Sequence, residues 1–437
     1  MRIPPHEATT AQLGAAYPLA ASRQLPAGGV LVGRDLHGGV FVHDPFELYA
    51  SGALTNPNML VLGQIGRGKS ALVKTYLYRQ AAFGRRIVVL DPKGEYAPLA
   101  EALGVVPLAL RPGGSLRLNP LDPASAREPA RGPWREPPDR EPRSARCDAG
   151  PARPATGDEA GRRRLELLAA IGAAALGRPL APAEHAGVEL ALDEVARRRP
   201  PTIPAVVEAL LSPSPEAAAS VATGAEALSS ATRDLALELR RLVRGELRGM
   251  FDGPTSPEVD LGGDVVVLDL SALYHSPALG VIVTCAAGAL QSLVESGRSG
   301  RTLLVVDEAW AVLSNLAVAR WFQASWKLAR ARGVANVAVV HRVSDLAAVG
   351  SAGSEPARIA EGLAADSETI VCYAQPPAEL PGAAAVLGLS PSETRLVGAL
   401  RRGVALWRVA GRSFLVEHRL SPAERALVDT DAPLLGR

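Results

Sequence analysis

Cysteine is scarce: Cys147, Cys285 and Cys372 are the only three, far apart and without a CxxC pair. That spacing excludes a disulfide framework and a cysteine-based zinc site, and a reducing compartment fits best. Long hydrophobic runs are missing too. No stretch reaches the roughly 18 uninterrupted apolar residues of a membrane span, and the opening MRIPPHEATTAQLG has no apolar core of a signal peptide. The sequence therefore reads as a cytoplasmic protein. Five Trp, seven Tyr and six Phe in 437 residues are too few for an aromatic array that stacks bases. Charge of one sign is absent as well: 47 Lys+Arg against 45 Asp+Glu leave +2, so no global excess marks a nucleic-acid or anionic-membrane binder. Lysine itself is rare. Lys69, Lys74, Lys93 and Lys327 stand among a large majority of arginines, so each lysine marks a place where Arg does not serve equally well.

A hydrophobic content of 47% supports a large core built from Ala, Leu and Val, and the length suggests about three units at roughly 150 residues each. Residues 1–50 form an N-terminal segment in which VLVGRDLHGGVFVH (30–43) alternates as a β-hairpin around Gly38-Gly39. Residues 51–122 begin an α/β core: the apolar run 59–62, a helix from Lys69 to about Ala82, and the apolar run 87–90 make a β-α-β unit and imply a parallel sheet. Residues 123–164, rich in Pro, Arg, Asp, Glu, Ala and Gly without apolar period, read as a disordered insertion. Residues 165–262 carry helical patterns broken by Pro and Gly and read as an all-α subdomain. Residues 263–420 return to sheet-like runs at 265–268, 303–306, 337–340 and 369–373, with a closing hairpin at 404–409 and 413–418. Residues 421–437 are a tail. The expected fold class is α/β: a RecA-like P-loop core with a central, mostly parallel sheet and the helical subdomain inserted.

The sharpest motif is Gly63-Gln64-Ile65-Gly66-Arg67-Gly68-Lys69-Ser70, a complete G-x-x-x-x-G-K-S between a strand and a helix. Its glycines let backbone amides converge on phosphate oxygens at a helix N-terminus, with Ala71 in the first turn completing the nucleotide-binding set. Lys69 is expected to reach the β and γ phosphates of ATP, and Ser70 to hold Mg2+. The second motif, Thr302-Leu-Leu-Val-Val-Asp307-Glu308, has the form of a Walker B strand: Asp307 binds Mg2+ through water and Glu308 polarises the attacking water. Read alone, the two acids equally cap the following helix.

Asp91, Asp269 and His341 also follow apolar runs, where ligands of parallel sheets bind. His341 is placed to sense the γ-phosphate or to be hydrogen-bonded locally; Asp269 reads as a turn residue. Asp91-x-x-Gly94 has the shape of a GTPase switch, but Asn119-Pro-Leu-Asp122 lacks the lysine of a guanine-reading N-K-x-D, so nothing selects GTP. Lys93 and Glu95 read equally as functional charges of that motif and as solvated turn charges. Arg330 and Arg332 are candidates for an arginine finger offered to a neighbouring subunit, and Trp310, Trp321 and Trp326 read mainly as packing.

In order, LGQIGRGKSALVK, VVLDPKGEY, LNPLD, LRGMFDGPTS followed by VVVLDLSAL, and LLVVDEAWAVL resemble the ATPase domain of conjugation and type IV secretion energisers, the TraC-like branch of the FtsK/HerA superfamily. The similarity runs over roughly residues 30–420 apart from 123–164. It implies a RecA-like motor, hexameric when active, using ATP and Mg2+ to drive transfer through a membrane channel. Its partners would be further copies of itself, membrane-channel proteins and, in a translocase reading, duplex DNA. It would then sit at the inner face of the cell membrane. A nucleotide-dependent switch is the third reading. Two departures stand out: family members usually carry Thr-Gln where this chain has Val340-His341, and they usually have a large N-terminal docking domain where only about 50 residues precede this core.

Overall fold

The computed structural model of the chain describes residues 25, 28–37, 39–122, 157–245, 247–274, 276, 279–286, 300–313, 316–347 and 354–428. Most of the insertion expected at 123–164, together with Cys147 and the end of the tail, lies outside these residues.

The apolar runs become the central strands. β3 (Met59–Leu62), β4 (Arg86–Asp91), β7 (Thr302–Val306) and β8 (Val334–Val340) are buried at every position. Strands covered on both faces need no polar alternation, which explains their unbroken hydrophobicity. Their side chains still alternate. Leu60, Leu62, Val88, Leu90, Leu304 and Val306 enter one core, while Met59, Val61, Ile87, Val89, Leu303 and Val305 enter a second on the opposite face.

One sheet of eleven strands results, in the order β2-β1-β11-β10-β9-β3-β8-β7-β4-β6-β5. Here β1 is Val30–Asp35, β2 Gly39–His43, β5 Leu108–Ala109, β6 Val265–Asp269, β9 Thr369–Cys372, β10 Val404–Val409 and β11 Arg412–His418. From β9 to β5 every neighbouring pair is parallel. From β9 outward through β10, β11, β1 and β2 every pair is antiparallel. The two hairpins read from the sequence therefore join each other, with Gly33 opposite His418, and extend the parallel sheet as a wing.

Between β5 and β6 the chain forms helices at Gly157–Leu176, Pro182–Arg198, Ile203–Leu211, Pro215–Ser220 and Ala225–Arg244. The first begins inside the stretch read as insertion. Proline stands at the first turn of Ile203–Leu211 and Pro215–Ser220, and Thr202 and Ser214 accept from the backbone N–H three residues on. The last helix buries Leu228, Thr232, Leu235, Ala236, Leu239, Leu242 and Val243 along one face, the spacing of a single amphipathic stripe. From Leu235 to Val243 that stripe belongs to the same core as Leu304 and Phe322, so the helical insertion packs onto one face of the sheet. Two sequence motifs also meet here. The Asp122 carboxylate accepts from Thr255 Oγ1 at 2.7 Å, and Asn119 Nδ2 donates to Asp122 at 2.7 Å and to the Pro201 carbonyl at 2.9 Å.

Candidate active site

In a parallel sheet every strand delivers its following loop to the same edge, and here that edge gathers the ends of β3, β8, β7, β4 and β6. The loop after β3 comes first. Gly63, Gly66 and Gly68 have φ of 153°, 77° and 115°, the region in which glycine carries no steric penalty. A Cβ on Gly63 would lie 2.3 Å from Cβ of Tyr373, so the close approach to β9 requires glycine. The loop is moored on both sides: Gly63 N donates to His341 O (3.2 Å), Gln64 N to Ala374 O (3.0 Å), and Arg67 O accepts from Gly403 N (3.0 Å). Arg67 also donates to Gln64 Oε1, and Ile65 is 72% exposed at the tip.

Gly68 is the N-cap of the helix Lys69–Ala82, and no side chain caps that end. The 14-residue helix thus presents its free amides and positive dipole end, with half-buried Ser70 and Ala71 in the first turn. Lys69 is buried and folds back to donate to the carbonyls of Gly63 and Gln64. Burial lowers its ammonium to about 8, against the opposing pull of Glu308 and Asp307.

Asp307 and Glu308 end β7. Asp307 N donates to Leu90 O at 3.2 Å and its Oδ1 accepts from Glu308 N at 2.9 Å. Burial, followed by the Glu308 charge, pushes the Asp307 carboxyl up to about 6. Glu308 adopts φ of 49°, a left-handed conformation for a residue with a side chain, of the sort that gathers at functional sites. Its Oε1 receives the Lys93 ammonium and His341 Nε2, the latter at 2.6 Å, and its Oε2 receives Trp310 Nε1 at 2.5 Å. Burial pushes this carboxyl up, but the hydrogen bonds from His341 and Lys93 outweigh it and hold Glu308 down at about 2. Lys93 loses stability as a cation through burial and regains more from Glu308, so it rises above the ordinary lysine range. His341 Nδ1 is buried without a hydrogen-bond partner.

A second layer lies behind. Lys74, one turn beyond Ser70, is fully buried with its ammonium 3.9 Å from Glu95 Oε2 and 5.6 Å from the centre of the Tyr96 ring. Burial lowers its ammonium, and burial followed by the Asp307 and Asp91 charges raises the Tyr96 hydroxyl. Asp91 is used in its own turn: Oδ1 accepts from Lys93 N and Gly94 N (3.2 and 2.8 Å), Oδ2 from Tyr96 N (2.9 Å). Asp269 likewise accepts from Ser271 N at 2.9 Å.

The fold thus brings Gly63–Ala71, Asp307, Glu308 and His341 to one edge. Arg330 and Arg332 are elsewhere. They end the helix Leu316–Arg332 and lead into the opposite end of β8, a seven-residue strand about 20 Å long. Trp326 is buried edge-on against Phe322 at 5.1 Å, and Trp321 lies beside Phe322. Two side chains outside the expected site set join it through Glu308: Lys93, open between a functional and a turn charge, and Trp310, which also packs against the core. The scarcity of lysine was the one signal pointing to the first.

Among the described residues no cluster of three or more His, Cys, Asp or Glu is set to hold a metal alone. The Ser70 hydroxyl and Asp307 carboxylate are the hard oxygen donors with which Mg2+ is held jointly with substrate phosphates, so this set fits that ion. No helix among the described residues is long and apolar enough to cross a membrane.

Residues 50–112 match the family model of an AAA-like domain. A search of curated proteins found no match. Among solved structures, VirB4 of Thermoanaerobacter pseudethanolicus superposes with a TM-score of 0.68 at 22% identity, over 92% of this chain and 99% of that one. The bacterial conjugative coupling protein TrwBdeltaN70 superposes with a TM-score of 0.55 at 14% identity, over 91% and 90% of the two chains. TrwB in complex with ADP and Mg2+ gives 0.57 at 13% identity, over 95% and 92%. Residues 50–112 are thus similar to an AAA-like domain, and the chain as a whole has the RecA-like P-loop fold seen in VirB4 and TrwB.

Proposed function

We propose that this protein is a Mg2+-dependent ATPase that energises a conjugation or type IV secretion-like transfer apparatus. The observation that carries the reading is the meeting of Lys69 with Asp307 and Glu308 at one sheet edge, beside an uncapped helix start. Backbone amides of Gly63–Ala71 cradle the phosphates, and Lys69 turns from the Gly63 and Gln64 carbonyls to the β and γ oxygens. Ser70 and Asp307 would hold Mg2+, which would supply neutralisation of the phosphate charge. Glu308 accepts a proton from water as the water oxygen bonds to the γ-phosphorus; the bond to the β–γ bridging oxygen breaks, and ADP and phosphate leave. Asn119 and Asp122 are fastened to each other, to Pro201 and to Thr255, which supports ATP over guanine readout.

Energising transfer, rather than ATP hydrolysis alone, rests on the ordered run of five motifs and on a fold shared with VirB4 and a conjugative coupling protein along most of the chain. The working form in this reading is a homohexamer docked on channel proteins, with Arg330 or Arg332 reaching a neighbour's site rather than its own. The test is steady-state hydrolysis of ATP and GTP by the purified chain with and without duplex DNA, beside co-purification from native membranes. ATP-selective turnover with recovered channel proteins supports the reading. Turnover strongly raised by DNA and weakened by salt transfers the protein to the DNA translocases. No turnover in any condition overturns it.

A further inference from the structure

Glu308 is over-held for a group meant to take a proton. Its Oε1 carries both Lys93 and His341, which fill the two lone pairs of that oxygen, while Trp310 engages Oε2. The three holders differ in freedom. His341 directly follows β8 and Trp310 stands at the start of the helix Ala309–Leu313, each on a short stem with a rigid ring. Lys93 reaches in on four methylenes and is 29% exposed, against 3% for Glu308. Its backbone is fixed, since Asp91 grips the amides of Lys93, Gly94 and Tyr96, so only the side chain has play. Its charge also opposes that of Lys69, whose ammonium sits on the P-loop carbonyls of Gly63 and Gln64, so both cations act on the space beside that loop.

A triphosphate seated on the P-loop brings into that space an anion more highly charged than one carboxylate. We infer that Lys93 is a nucleotide-sensing positioning residue: it locks Glu308 in the resting site and exchanges it for the terminal phosphate of a bound triphosphate, freeing the base when its substrate is in place. The inference rests on the reading that this loop binds ATP. ADP lacks the terminal phosphate and leaves the lock closed, so the site distinguishes loaded from discharged states through one side chain. Trp310, hydrogen-bonded to the same carboxylate, reports the exchange.

The experiment uses the full chain and the intrinsic emission of Trp310, isolated by subtracting a Trp310→Phe variant. A non-hydrolysable ATP analogue with Mg2+ shifts the wild-type emission and ADP does not. Lys93→Met emits without nucleotide as the loaded wild type does, shows no further shift, and loses about tenfold in its preference for the analogue over ADP, the worth of one charge-assisted contact. Lys93→Arg keeps the shift. A Lys93→Met protein that binds the analogue, responds as wild type does and keeps its preference overturns this inference and leaves the ATPase reading standing. A wild type that binds neither nucleotide overturns both.

Discussion

Replacing Glu308 by glutamine keeps the shape of the side chain and removes its charge, so it separates catalysis from architecture. In the folded site Oε1 has two donors and Oε2 one. An amide must turn its NH2 toward one of them, and the orientation facing Trp310 sacrifices one hydrogen bond instead of two. The cost is a single mismatched buried donor, about 1–3 kcal/mol, which in a chain of this size lowers the melting temperature by only a few degrees. Binding changes in the other direction. Removing one buried negative charge from beside the phosphates relieves on the order of 1–3 kcal/mol at an effective dielectric constant of about 20, so ATP affinity holds or rises. Turnover loses its general base, a drop of about 10²–10⁴-fold. Phosphate release at saturating ATP, fluorescent-nucleotide binding and thermal melting read the three quantities separately. A Glu308→Gln protein with kcat within about threefold of wild type refutes the assignment of Glu308 as base, whatever its affinity.

Lys69→Ala has the opposite signature: nucleotide affinity falls by about 10- to 100-fold, the worth of a buried charge-assisted contact, and a binding titration unchanged from wild type removes Lys69 from the phosphate site. The pH dependence follows from Asp307. Its carboxyl, raised to about 6, is protonated below that value and can no longer serve a metal, so kcat/KM falls as pH drops through about 6, and extra Mg2+ shifts the fall to lower pH. A fall indifferent to Mg2+ assigns the limb to another group, and Glu308, held at about 2, is too acidic to supply it. Gly63→Ala drives a Cβ to 2.3 Å from Tyr373; the expected overpacking cost is about 1–3 kcal/mol together with lost nucleotide binding, and wild-type stability and affinity contradict the close approach. Arg330→Ala and Arg332→Ala leave nucleotide binding by isolated subunits unchanged and lower turnover only in assembled protein; full activity of both variants in the assembly removes them as fingers.

Local chemistry made much of this site readable. The P-loop, the helix from Lys69 to Ala82 and the strand ends at Asp307 and His341 are each encoded within one short consecutive stretch, where an apolar run, a glycine pattern and a first-turn serine act together. Lys93 was not readable as a partner of Glu308. The two are brought together by β4 lying beside β7, and strand order depends on packing between distant segments that no local pattern records. Trp310 was legible as packing, and it does pack against the core, but its hydrogen bond to Glu308 was not legible, because no local pattern separates it from Trp321 and Trp326. The hairpins were legible one by one, but their union through β1 and β11 was not, because it joins the two ends of the described chain. Asp91 shows the converse, a residue in a functional-looking motif whose carboxylate is fully engaged by its own turn.

The strand that carries the P-loop has no early neighbours. Met59 pairs with Val337 on one side and Thr369 on the other, and the loop itself is fastened to His341, Ala374 and Gly403. During synthesis the G-x-x-x-x-G-K-S segment leaves the ribosome long before any of these exists, so the nascent chain displays its most recognisable motif without the walls that give it affinity. Closing loops of this span is slow, and β3 waits with both hydrogen-bonding edges open. Nucleotide binding then becomes a late certificate of completed folding: a truncated or stalled product keeps the motif and cannot hold ATP.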